Sequence, residues 1–252
     1  MLKAPEYLSP SSISTFHQCP LKYKFSRIDG MSEPPTEHTL LGNFVHEILE
    51  NFYALEPSMR TLANARSLAH EIWGKYSDDV AKILRFEQEL KSFRWRAWWC
   101  VENLLKIELP EIMHFDGIET ALDHEVDGVR VKGFIDRWSF SDNKIIIGDY
   151  KTGKVPALKY RADKFDQLLI YGVILSEIYE KEIQTVELLY LKDGIKLTLD
   201  PTTEQIQKVK DLLTDTRKQI DIRCESEVFE PTVSALCGWC NFKPICPEWS
   251  KK

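Results

Sequence analysis

The sequence predicts an α/β sandwich in which a mixed sheet is flanked by helices and carries a helical insertion. Three observations predict it. Apolar residues recur at helical spacing up to about Leu109 with no strand pattern between them. After Pro110 the texture switches to short β-type runs separated by turn residues. Helix and strand patterns then alternate as far as about Ile222, an order that suits helices packed on a sheet.

The elements follow in order. A Pro- and Ser-primed turn at Ser9 opens a short helix around Ile13–Gln18, and a second at about Leu21–Arg27 ends at Gly30. MSEPPTEH is a loop by its paired prolines. Leu40, Leu41, Phe44, Val45, Ile48, Leu49 and Phe52 mark one face of a helix over Thr39–Leu55. The helical stretch beyond it is expected to break near Pro57 and Ser77. Ile118–Val126, Val129–Phe140 and Lys144–Tyr150 read as successive strands, joined by Asp127-Gly128 and Ser141-Asp142-Asn143 turns. A helix at about Asp163–Tyr179, strands at Thr185–Leu191 and Ile195–Leu199, and an amphipathic helix over Thr202–Ile222 complete the pattern. The remaining residues are loop-like.

The chain has 252 residues, 43% hydrophobic and 29% charged, with a formal net charge of −6. This is ordinary globular composition, and it fits a single domain spanning 1–252. No apolar run is long enough for a membrane span, and the start of the chain lacks the apolar stretch of a secretory signal. The expectation is a cytoplasmic protein with no membrane partner. Bulk acidity does not exclude a nucleic-acid ligand, because phosphate contacts need only a local basic track.

The chemistry concentrates in GFIDRWSFSDNKIIIGDYKTGK, residues 133–154. Asp149 and Lys151 alternate onto one face of their strand, and Asp136 can lie across from them on the antiparallel neighbour. Hard divalent cations such as Mg²⁺ take one or two carboxylates plus waters and substrate phosphate. Such an ion lowers the pKa of a coordinated water and neutralises phosphoryl charge, and a nearby lysine can orient the water or offset that charge. Taken singly, the residues are unremarkable: Asp-x-Lys on a strand is commonly a surface ion pair. Gln167 and Tyr171, at i and i+4, share a helix face.

Gly-x-x-Asp-Arg at 133–137 followed by Asp-Tyr-Lys-Thr-Gly at 149–153 resembles the signature of RecB-like nucleases of the PD-(D/E)xK superfamily. Gly42–His46 matches the family's upstream Gly-x-x-x-His, and Gln167 with Tyr171 matches its downstream Gln-x-x-x-Tyr. The four motifs stand in the family's order over nearly the whole chain. The resemblance implies a restriction-endonuclease-like fold, with a helical insertion at about 50–115 and a nuclease core at about 116–222. It implies that His46, Asp136, Asp149 and the carbonyl of Tyr150 hold Mg²⁺ or Mn²⁺. Lys151 would serve the attacking water, and Gln167 and Tyr171 would position the phosphate or support the site. Glu125 stands where related nucleases sometimes carry an acidic residue.

Of the six cysteines, Cys237, Cys240 and Cys246 cluster near the end. Clustered cysteines in a chain of this size and compartment read as metal ligands rather than disulfides. Cys19 is the candidate fourth ligand, since it too precedes a proline and ends a short helix. Spacing leaves zinc and a [4Fe–4S] cluster both open. The pattern is similar to the iron–sulfur clasp of AddB-type and CRISPR-associated members of the family. That resemblance implies a structural cluster joining segments 9–30 and 223–252, whose closure by analogy with a disulfide contributes roughly 5 kcal/mol. Cys100 and Cys224 are expected to be plain thiols.

RFEQELKSFRWRAWWC, residues 85–100, interleaves cations with Trp95, Trp98 and Trp99. Such a pattern suits stacking on single-stranded bases, but a packed helix with its tryptophans in the core is the expectation. The full reading is a metal-dependent DNA exonuclease, acting on single-stranded or free ends in recombination, repair or replication. It resembles compact phage and CRISPR-associated exonucleases and lacks helicase motifs, which leaves room for a recombination or helicase partner. The rival reading is a non-catalytic DNA-binding or assembly subunit.

Overall fold

Local capping chemistry sets most helix starts in the computed structural model, which describes residues 1–249. Helix α1 spans Pro10–Gln18; Ser9 accepts a hydrogen bond from the Ser12 N–H at 3.2 Å, and Ser12 accepts one from the Ser9 N–H at 2.9 Å. Helix α2, Pro20–Tyr23, passes into a π-helical turn over Lys24–Ile28 instead of running on as an α-helix, and Gly30 then takes φ +69°. Helix α3, Glu37–Ala54, starts from a Thr36/Thr39 box.

Helix α4 runs unbroken over Leu62–Ile83, so the expected break near Ser77 is absent. The Ser77 hydroxyl bonds the Gly74 carbonyl within the helix, while Ile72 and Val80 hold the flanking turns in the core. The break falls later, where Leu84 turns extended and Glu89 accepts the N–H groups of Arg85 and Phe86 to start α5, Glu87–Ile107.

Strands β1 (Gly117–Val126), β2 (Val129–Ser141) and β3 (Lys144–Lys151) form the expected meander. Its turns use left-handed residues, Asp127 with Gly128 and Asp142 with Asn143, as two-residue hairpins require. Two 3₁₀ turns at Leu158–Tyr160 and Ala162–Lys164 precede α6, Asp166–Tyr179, so that helix starts later than its pattern suggests. Strands β4 (Ile183–Tyr190) and β5 (Ile195–Leu199) follow. Helix α7, Thr203–Ser226, begins on a Thr202/Gln205 box and extends a turn beyond Ile222.

Among the described residues the sheet is five-stranded in the order β1-β2-β3-β4-β5. β3 is antiparallel to β2 and parallel to β4, and α6 makes the crossover that a parallel pair needs. Gly172 lets α6 press onto the sheet, because a Cβ there would lie 2.7 Å from Ile183 Cδ1. No helix among these residues is long and apolar enough to cross a membrane.

The chain divides into two compact units. One comprises Pro35–Ala121 and Phe134–Pro201. In it α3, α4 and α5 bury Leu41, Phe44, Ile48, Val101 and Leu104 in a cluster that reaches Tyr150 and Leu189. Each such side chain contributes roughly 1.5–3 kcal/mol. Arg137, only 2% exposed, is held by Glu108 at 2.6 and 2.9 Å, Glu187 at 3.2 Å and the Tyr150 hydroxyl at 3.2 Å. Its aliphatic stem crosses Gly148, where any side chain would collide with it.

The other unit comprises Met1–Pro34, Leu122–Gly133 and the chain from Thr202 on. Leu8 bridges Val131 in parallel, His17 meets Thr216 at 2.8 Å, and Phe25 packs on Phe242 at 5.4 Å. The N-terminal and C-terminal segments therefore share one core.

Candidate metal and nuclease centre

The centre is assembled at the end of the β2–β3 ladder. The last pair of that ladder is Arg137↔Gly148, one step before Asp136 and Asp149. Asp136 Oδ2 accepts the Tyr150 N–H at 2.6 Å, which holds one carboxylate against the neighbouring strand. Lys151 Nζ lies 2.7 Å from Asp149 Oδ2, so the alternation expected from sequence puts both on one face. Helix α3 delivers His46, whose Nε2 is 2.9 Å from the Tyr150 carbonyl oxygen and whose Nδ1 is 3.4 Å from Asp136 Oδ1.

Helix α6 closes another side. Gln167 donates to Asp149 Oδ1 at 3.3 Å and accepts from Lys151 Nζ at 3.5 Å. Tyr171, buried, stands one turn on from Gln167 along the same helix. His46, Asp136, Asp149, Tyr150, Lys151, Gln167 and Tyr171 are thus brought together in one unit.

Glu125 is not brought there; it is exposed and belongs to the other unit. The acidic residue that joins the cluster is Glu119, whose Oε1 lies 3.9 Å from His46 Nδ1. His46, Glu119 and Asp136 each offer a ligand atom within 4.8 Å of the others. Glu119 takes φ +44° near the start of β1, a left-handed conformation that costs a non-glycine residue of order 1–3 kcal/mol.

Electrostatics mark the same place. Burial, aided by the Asp136 charge, pushes the Glu119 carboxyl up to about 7. Burial and Asp136 likewise raise Asp149, against the pull of Lys151. Burial disfavours a charged His46, but its hydrogen bond and charge contact with Asp136 override that and raise it to about 9. The Lys151 ammonium is also penalised by burial, yet Asp149 lifts its pKa, so it stays charged at neutral pH.

The donor set fits a divalent cation. His46 Nε2 and the Tyr150 oxygen share a hydrogen bond at 2.9 Å; with its proton replaced by an ion at about 2.1 Å from each, they would stand at the ~3 Å of cis ligands. Asp149 Oδ2 is buried and, although Lys151 is close, receives no well-aligned hydrogen bond. An imidazole among carboxylate and carbonyl oxygens suits Mn²⁺ as well as Mg²⁺.

Comparison with known proteins identifies the family. Residues 7–247 match the family model described as the PD-(D/E)XK nuclease superfamily. The chain belongs to that superfamily. It is similar to the Gene 69 proteins of Mycobacterium phages L5 and D29, at 24% and 25% identity over 95% of this chain and 95% and 96% of theirs. A solved structure from Eubacterium rectale, provisionally described as an exonuclease, shares the fold: TM-score 0.61, 14% identity, covering 93% of this chain and 87% of that one.

In the other unit Cys19, Cys237, Cys240 and Cys246 all line one cavity of about 350 Å³. The Thr232 N–H points at Cys19 Sγ from 3.5 Å, and the Ser234 N–H at Cys237 Sγ from 3.4 Å. Cys100 and Cys224 are buried elsewhere, and burial raises both thiols. In the tryptophan segment Trp98 packs against the core as expected, whereas Trp95 and Trp99 depart from the packed-core expectation. Phe93, Ala97 and Cys100 fill the core side of α5, which leaves Trp95 59% and Trp99 41% exposed.

Proposed function

We propose that this member of the nuclease superfamily is a Mg²⁺- or Mn²⁺-dependent DNA exonuclease acting on single-stranded ends. The observation that carries the reading is the convergence of His46, Asp136, Asp149, the Tyr150 carbonyl and Lys151 within hydrogen-bonding reach of one another. A divalent cation held there supplies a Lewis-acid centre that acidifies water and offsets charge on the phosphoryl oxygens.

The protein's own residues do the rest. His46, Asp136, Asp149 and the Tyr150 oxygen would hold the ion, with Glu119 as a further carboxylate. Lys151, charged and anchored by Asp149, orients the attacking water and faces the charge that develops on phosphate. Gln167 keeps Asp149 and Lys151 in register through one amide, and Tyr171 shares its helix face one turn on.

The same proposal assigns a structural [4Fe–4S] cluster to Cys19, Cys237, Cys240 and Cys246. Among the described residues no three of these sulfurs lie within 4.8 Å of one another. Tetrahedral zinc with bonds of about 2.3 Å would draw its sulfurs to ~3.8 Å. A wide cavity with N–H groups aimed at sulfur suits a cluster better.

The test is digestion of 5′- and 3′-labelled single- and double-stranded DNA with Mn²⁺, Mg²⁺ or EDTA. Metal-dependent loss of label from single-stranded ends supports the proposal. Intact DNA with fully loaded protein would instead favour a binding or assembly role.

A further inference from the structure

A second feature of the nuclease-bearing unit bears on how substrate is held, and its interpretation rests on the nuclease reading. Trp95 and Trp99 sit one turn apart on α5, both exposed, with ring centroids 6.2 Å apart and planes tilted by 41°. Large exposed aromatic faces are costly in water and are uncommon unless something covers them. Trp99 is not loosely attached. Its indole N–H donates to the Lys192 carbonyl at 3.2 Å, and Asn103 on the same helix bonds the Leu191 and Lys192 carbonyls. Leu191 in turn donates its N–H to the Lys151 carbonyl, so the aromatic pair is tied to the strand ends that carry the catalytic lysine.

The surroundings carry the sign of charge that phosphate needs. A cavity of about 260 Å³ beside Trp95 is lined in part by Arg66, His70, Lys91, Arg94 and Trp98, with no acidic residue in its wall. The Arg66 guanidinium lies 4.9 Å over the Trp98 ring and that of Arg94 lies 5.3 Å over Trp73. Among the described residues neither arginine has a carboxylate within ion-pair distance. Lys91 is shared with Glu87 at the surface, and Lys106 lies 4.8 Å over Trp99. In a chain of net charge −6, an acid-free wall with two unpaired guanidiniums stands out. By contrast, the cavity beside His46 is lined by Glu47, Glu50 and Glu119, carboxylates that suit a cation.

We infer that the α4–α5 face is a binding platform for single-stranded DNA, with bases stacked on Trp95 and Trp99 and phosphates held by Arg66 and Arg94. Stacking explains the exposed rings, and only a strand with unpaired bases can use them. Arginines resting on indole faces are pre-oriented, with their N–H groups free for phosphate oxygens. Duplex DNA keeps its bases stacked on one another and gains only the electrostatic part.

The experiment measures binding of fluorescein-labelled oligo(dT) and of a matched duplex, in Ca²⁺, to protein carrying Lys151→Ala. Adding Trp95→Ala is expected to weaken oligo(dT) binding about tenfold or more, and Trp99→Ala with it further still. Trp95→Tyr is expected to retain most of the affinity, because the ring can still stack. Arg66→Gln and Arg94→Gln are each expected to lower the salt dependence of binding by the equivalent of about one phosphate contact. Trp95 is surface-exposed, and the melting temperature of each variant reports folding independently. With Lys151 restored, hydrolysis of the p-nitrophenyl ester of thymidine 5′-phosphate is expected to be unchanged in the tryptophan variants. That substrate is too small to reach the platform.

Oligo(dT) binding unchanged by Trp95→Ala with Trp99→Ala would overturn the inference. Equal loss of duplex binding would overturn it too, since stacking would not be the cause. Failure of the parent protein to hydrolyse either substrate would instead remove the nuclease reading, and the oligo(dT) affinities would still decide the platform.

Discussion

His46, Asp136, Asp149 and Lys151 stand on a helix and two adjacent strands, whereas Cys19 stands at the junction of α1 and α2, and Cys237, Cys240 and Cys246 on or beside short 3₁₀ segments. In the first region every donor is already oriented by a protein partner, down to the Asp136–Tyr150 N–H bond at 2.6 Å. In the second the sulfurs share a cavity, and the contacts of Cys19 and Cys237 there are with backbone groups: N–H groups at about 3.5 Å and the Thr232 carbonyl at 3.9 Å. Hard-ion chemistry needs donors held in place before the substrate arrives, so regular structure supplies them. A structural group instead contributes its own ordering, and the polypeptide around it can be irregular.

The strongest way to break this comparison is to remove a thiol. Cys240→Ser is expected to abolish the visible absorption of anaerobically purified protein and to cost up to about 5 kcal/mol of stability, read by chemical denaturation. Mn²⁺ affinity at the carboxylate centre should persist wherever the protein remains folded. Unchanged stability would mean that the turns order themselves. Next in size, Lys151→Ala is expected to lower single-turnover cleavage about a thousandfold while leaving the melting temperature near that of the parent. A drop confined to KM would contradict its assigned role.

Glu119→Gln sharpens the first half of the comparison. If the strained carboxylate is a ligand, Mn²⁺ affinity falls about tenfold in a titration, and unchanged affinity would leave the φ of +44° without that explanation. The smallest and most graded effect is in pH. Glu119 binds its proton up to about 7 and His46 up to about 9, and both protons compete with the cation. Mn²⁺ affinity should therefore rise as pH climbs through those values. A flat profile would show that neither group is displaced by metal.

Much of the centre could be read in advance because hairpin turns set strand register. Counting outward from Asp142-Asn143 places Asp136 opposite Asp149, and the observed ladder ends one pair short of them. Applied to the Asp127-Gly128 turn, the same count places Glu119 opposite Asp136. Three acidic residues share β1, Glu119, Asp123 and Glu125, so the pattern of the strand alone does not single out Glu119. Asp123 is taken by Arg130 and Lys132, which leaves Glu119 for the site. Helix α3 was readable from its apolar stripe, whereas the uninterrupted course of α4 depends on tertiary packing of Ile72 and Val80. The exposure of Trp95 and Trp99 was not readable, since which face of α5 meets the core is decided by Phe93, Ala97 and Cys100 together.

The central claim is that one divalent cation sits among His46, Asp136, Asp149 and the Tyr150 carbonyl. Anomalous scattering from a Mn²⁺-soaked crystal tests it most directly. The account predicts a single strong peak about 2.2 Å from these ligand atoms, with Lys151 Nζ outside that coordination shell. A peak lying only against Glu47 and Glu50, or none at any soak concentration, would contradict it.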